Sequence, residues 1–222
     1  MTATVPPGPS AIRDPQRPGR LLRAEHDGLL PILRRTPGPA FDLPTGCPAW
    51  SMRDVLAHCA AALTRVATGT LHAFTPELNE ADVAERRGWP LPRLLSELAG
   101  GYLAAGPVIA RAGGPLDVIG LGEWLHGGDV RAALGEPMAY ASDGFDDACV
   151  LLAEHARRRR IPLVEVSLPG RSLWLGVGVP GRPAAALRTG PATLMKIFAG
   201  RPAEPGEYRL AGANAGELVV FS

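Results

Sequence analysis

The spacing of apolar residues changes partway along the chain, and this change limits the folds open to it. From Leu21 to about Ala133 apolar side chains return at helical intervals; beyond about residue 140 short strand-like runs appear. The segment RLLRAEHDGLLPILRR, 20–35, predicts a helix with Leu21, Leu22, Leu29, Leu30 and Leu33 available for burial and a bend at Pro31. Ser51 followed by Asp54 has the form of a capping box, so a second helix begins there and is expected to reach about Phe74. A shorter helix over 78–87, a long one over 92–112 and another over about 116–134 follow, separated by proline and glycine. After them come a helix within 142–160, strand-like runs at 163–168, 172–179 and 184–188, a helix at 191–200, and closing strands at 207–212 and 217–222. The fold class expected is α+β: a helical bundle over 19–140 followed by a small α+β unit over 141–222. Residues 1–18, with five prolines and little to pack, are expected to be a disordered tail.

Composition excludes several functions. With 23 basic and 22 acidic residues and a net charge of +1, no basic excess points to a nucleic acid or a membrane surface. No apolar run approaches the ~20 residues that cross a bilayer. The first residues lack the apolar stretch of a signal peptide. Three cysteines with no C-x-x-C pair read as reduced thiols, and a soluble cytoplasmic protein is expected; a monomer or homodimer is expected as well.

Polar residues in apolar helices mark the candidate site. His58 flanks a stripe of Val55, Cys59, Ala62, Leu63 and Val66. In GLGEWLHGGDVRAALG, 120–135, Glu123 and His126 lie three apart on a face otherwise made of Ile119, Val130 and Ala133. A buried carboxylate needs a partner, and a divalent metal held by His58, Glu123 and His126 would satisfy all three. Two ligands from one helix and one from a facing helix is a common way for bundles to build such sites. A plainer arrangement stays open: Glu123 bonded to His126, and His58 to a backbone group. Asp129 either orients a ligating imidazole or, as an exposed residue, pairs with Arg131 or Arg53; the exposed pairing is expected. Cys47 and Trp50 are expected to be an ordinary thiol and a loop staple.

PTGCPAWSMRDVLAH, 44–58, and GEWLHGGDVRAALG, 122–135, resemble the two signatures of the mycothiol-dependent maleylpyruvate isomerase family. The resemblance implies a DinB-like metal-binding four-helix bundle with a small C-terminal α+β domain. It implies metal ligation by His58, Glu123 and His126, zinc being the preferred ion, and mycothiol as thiol cosubstrate. The family's glutamate lies four residues before the second histidine; here the spacing is three, and Gly122 occupies the expected place. By the same resemblance Arg201, in Ala199-Gly200-Arg201-Pro202, is a candidate to hold a substrate carboxylate. The implied activity is isomerisation of, or thiol transfer to, a small electrophile. The alternative is a non-catalytic metal- or ligand-binding module.

Overall fold

The computed structural model describes residues 12–221. Five helices come first: α1 Arg17–Arg35, α2 Met52–Thr68, α3 Pro76–Arg86, α4 Leu91–Arg111 and α5 Asp117–Ala133. Then come α6 Phe145–Arg158, β1 Val164–Leu168, β2 Arg171–Leu175, β3 Ala185–Thr189, α7 Pro191–Phe198 and β4 Tyr208–Ala211. The fold class is α+β, a mostly helical N-terminal part followed by a small sheet with helices. None of the helices among the described residues is long and apolar enough to cross a membrane.

Each helix of the first part begins or ends where its residues require. Ser51 caps α2 through the expected capping box with Asp54, and Gly69 closes it in the left-handed region, φ 71°. That glycine ends the helix before the expected Phe74. Helices α1 and α4 run through Pro31 and Pro107 without a break in assignment. Of the tail expected over 1–18, residues 1–11 lie outside those described. The rest is held: Arg13 pairs with Asp117, and Pro18 is buried in the first turn of α1.

Helices α1, α2, α4 and α5 pack on one another around a core that includes Leu22, Leu29, Leu30, Leu33, Val55, Leu63, Leu98 and Ile109. A second core joins Leu21, Leu121, Trp124 and Leu125 to α6, the sheet and α7. The sheet order is β2-β1-β3-β4, with β1 and β3 parallel and the outer pairs antiparallel. Its inward positions, Val164, Val166, Leu168, Ala185 and Leu187, alternate with outward ones, as a one-sided sheet requires. Of the strand expected at 217–222, no part forms among the described residues. The chain there makes a short 3-10 turn at Ala215–Leu218, and Val220 N–H bonds the Phe198 carbonyl at the end of α7 instead of a strand.

Helix α5 comes unusually close to its neighbours because it is rich in glycine. A Cβ at Gly120 would lie 2.7 Å from Pro18 Cα, and one at Gly127 or Gly128 would collide with the Glu25 carboxylate or the Tyr140 ring. The absent side chains at 120 and 127 let α1 press against one side of α5, and the one at 128 admits the Tyr140 ring, whose hydroxyl reaches Asp129.

Candidate metal centre

The two sequence-selected histidines meet. His58, in the second turn of α2, and His126 of α5 have ring centroids 5.3 Å apart, edge to face at 77°. Trp50 lies against both, 5.0 Å from His58 and 6.4 Å from His126. Its indole N–H donates to Glu80 Oε1 of α3 at 2.7 Å. Trp50 therefore does more than staple the loop, as was expected of it; it covers the imidazoles.

His58 is only 7% exposed, and its Nδ1 has no hydrogen-bond partner. Burial, reinforced by His126, pushes its pKa down to about 3, so the ring is neutral and keeps a lone pair. His126 is tethered: its Nδ1 lies 3.1 Å from Asp129 Oδ2. Asp129 is an acceptor when ionised, so it places a hydrogen on Nδ1 and leaves Nε2 as the nitrogen that can face a ligand.

Asp129 departs most from expectation. It is fully buried rather than exposed, and pairs with neither Arg131 nor Arg53. Arg131 donates to Glu25 at 2.8 and 3.0 Å, and Arg53 to the Trp89 carbonyl. Asp129 instead receives Arg201 Nε and Nη2 at 2.8 and 2.7 Å and the Tyr140 hydroxyl at 2.7 Å. Burial alone would raise its pKa; the bonds from His126 and Arg201 outweigh that and hold it down to about 2. Gly46 completes the packing, since a Cβ there would sit 3.2 Å from Asp129 Oδ1 and 3.1 Å from the Tyr140 oxygen.

Glu123 lies deeper. It is 3% exposed, and one carboxylate oxygen has no partner. Burial pushes its pKa up to about 8, against a lowering bond from the Cys59 thiol and with a further rise from Glu25. It is not hydrogen-bonded to His126, so the plainer Glu–His pairing does not occur. Arg201 points its fork at Asp129, and Nη1 donates to the Ala199 carbonyl. Cys47 is half-buried beside the cluster: its sulfur, a ring nitrogen of His126 and a carboxylate oxygen of Asp129 lie within 4.8 Å of one another. Burial raises its thiol pKa, Arg201 lowers it, and Asp129 raises it again.

These donors suit a divalent metal. Two imidazoles converge, one of them neutral with an unpaired buried nitrogen, and a carboxylate and a thiol lie close by. A cleft of about 700 Å³ opens at one end of the sheet between the β1–β2 turn, β3 and β4, but none of its lining residues belongs to this cluster. Sequence reasoning did not find Tyr140 or the cover by Trp50; it placed Cys47 in the loop before α2, where it could face the site, but expected an ordinary thiol of it.

The sequence profile of the mycothiol maleylpyruvate isomerase N-terminal domain matches residues 22–137, just over half the chain. Among solved structures, the crystal structure of the mycothiol-dependent maleylpyruvate isomerase and that of a histidine-to-alanine mutant of it are similar. Their TM-scores are 0.56 and 0.58, both at 14% identity, covering 91% of this chain and 95% of the other. That likeness is one of fold. No curated protein sequence matches the chain significantly.

Proposed function

Because the chain belongs to the mycothiol maleylpyruvate isomerase family, through its N-terminal domain, we propose that it is a metal-dependent enzyme working with mycothiol on a small electrophilic substrate, by isomerisation or by thiol transfer. The observation that carries this reading is the pair of imidazoles 5.3 Å apart, one buried with its Nδ1 unpartnered. His58, His126 and Glu123 are the proposed ligands, and zinc the preferred ion. A divalent ion bound here supplies one thing: it lowers the pKa of a thiol sulfur so that the thiolate persists at neutral pH.

The chain's own residues do the rest. His58 offers a lone pair without first losing a proton, because burial already keeps it neutral. Asp129 holds the hydrogen on His126 Nδ1 and so fixes which nitrogen faces outward. Tyr140 and Arg201 lock Asp129 in place. Arg201, expected to grip a substrate carboxylate, has its fork engaged by Asp129; the role we propose for it is to hold that residue. Trp50 shields the imidazoles from water. A thiol bound beside these residues would supply a nucleophile for an electrophilic carbon and, in isomerisation, would be returned unchanged. The four-helix, DinB-like arrangement, a division near residue 140, and a cytoplasmic setting for the three free cysteines belong to the same proposal.

The second reading, a non-catalytic metal-binding module, is favoured by Glu123, which engages Cys59 and shows no bond to either imidazole. Elemental analysis and turnover separate the two. About one zinc per chain is expected, most of it lost in His58→Ala and in His126→Ala, with binding strongly weakened in Glu123→Gln. Full metal retention in both histidine variants would end this placement. Turnover of maleylpyruvate that requires both metal and mycothiol establishes the enzyme. Metal binding without thiol-dependent turnover leaves the module.

A further inference from the structure

The loop entering α2 carries a donor to which the family resemblance gives no role. Cys47 Sγ comes within 4.8 Å of a His126 nitrogen and an Asp129 oxygen. Asp129 is a poor ligand, because four hydrogen bonds already occupy its two oxygens. Cys47 has no such commitment: among the described residues its sulfur makes no hydrogen bond, and it is in no disulfide. A second observation concerns His58, which stands outside that trio but beside His126. His58 is 7% exposed, its Nδ1 is unpartnered, and its ring meets that of His126. Glu123, the carboxylate expected there, lies against Cys59 instead.

The loop is built to bring the thiol in. Thr45 Oγ1 accepts from Cys47 N–H at 3.2 Å and donates to the Trp50 carbonyl at 2.9 Å, closing a tight turn. Ala49 is held in the left-handed region, φ 65°, where a side-chain-bearing residue is strained. Gly46 lets the backbone lie directly on Asp129, Tyr140 and Arg201. Resting on the metal reading above, we infer that Cys47 is a protein thiolate ligand to the ion that His58 and His126 hold. One sulfur with two imidazoles is a donor set that suits zinc and cobalt. A small thiol arriving at the site then competes with Cys47 for one place.

The test is cobalt titration of the metal-free full chain in thiol-free buffer, with wild type, Cys47→Ser, and Cys59→Ser and Cys149→Ser as controls. Far-ultraviolet circular dichroism checks that each variant is folded. Wild type and both controls are expected to show visible d–d bands and a near-ultraviolet sulfur-to-cobalt charge-transfer band. Cys47→Ser is expected to keep the d–d bands, lose the charge-transfer band, and bind cobalt at least about tenfold more weakly, the lower end of what losing even an outer partner costs. A charge-transfer band that survives in Cys47→Ser, or d–d bands without it in wild type, overturns the inference while the metal centre stands. Absence of d–d bands in every protein overturns the metal centre and the inference together.

Discussion

Asp129 shows how one residue is written by its surroundings. Its two oxygens take four hydrogen bonds, and its pKa is held to about 2 against 3.8 for a free side chain. A folded pKa below the unfolded one means that the stabilisation is present above about pH 4 and drains away as pH falls toward about 2. The difference corresponds to about 2 kcal/mol at neutral pH. Asp129→Asn is therefore expected to lower unfolding stability by about 2 kcal/mol or more at pH 7, with a gap to wild type that narrows as pH falls from about 4 to about 2. The same change should weaken metal binding by about 10–100-fold through the loosened His126. Urea denaturation across that range and a metal titration check both; a gap that ignores pH would mean that the carboxylate is not charge-paired as drawn. Of this, only the orienting of His126 was among the readings open in sequence, and the exposed pairing was preferred to it. Helical spacing put Asp129 beside His126, but its other partners, Tyr140 and Arg201, come from stretches that periodicity cannot bring together.

The elements were far more legible, and the exceptions have local causes. The start of α2 was readable because Ser51 and Asp54 act on each other within one turn. Its end was overrun because a single left-handed glycine at 69 outweighs the apolar run that continues to Phe74. The last strand failed because a short apolar run such as ELVVFS says nothing about whether a sheet edge is waiting for it; here the end of α7 claims Val220. In α5 the value of the glycines lies in what approaches them. Gly128→Ala is expected to destabilise by about 1–3 kcal/mol, because the Tyr140 ring must move off its bond to Asp129. Gly122→Ala, whose added Cβ would meet only Phe221 at 3.9 Å, should instead stabilise by about 0.5–1 kcal/mol. Thermal unfolding of the pair distinguishes a helix tuned for close packing from one that is merely weak.

At the scale of the molecule, the helical part is not self-sufficient. Leu121, Trp124 and Leu125 of α5 are buried against α6, the sheet and α7, and Trp124 Nε1 donates to the Asp143 carbonyl at 2.8 Å. A fragment ending at residue 137 would bare these side chains, at about 1.5–3 kcal/mol each. It is expected to lose the sharp near-ultraviolet dichroism of its tryptophans and to bind a hydrophobic dye, although it spans the whole family match. A fragment with native spectra and normal metal affinity would show that the second core is dispensable. The same architecture sets an order in time. The Asp129 knot ties together backbone at 46, a helix at 126, a tyrosine at 140 and an arginine at 201. During synthesis at about 5–20 residues per second, Arg201 leaves the ribosome on the order of ten seconds after His58. Until then the nascent chain has its histidines but not the clasp that aligns them. The centre should therefore be among the last parts of the protein to mature, and metal uptake during translation would report that the C-terminal part has docked.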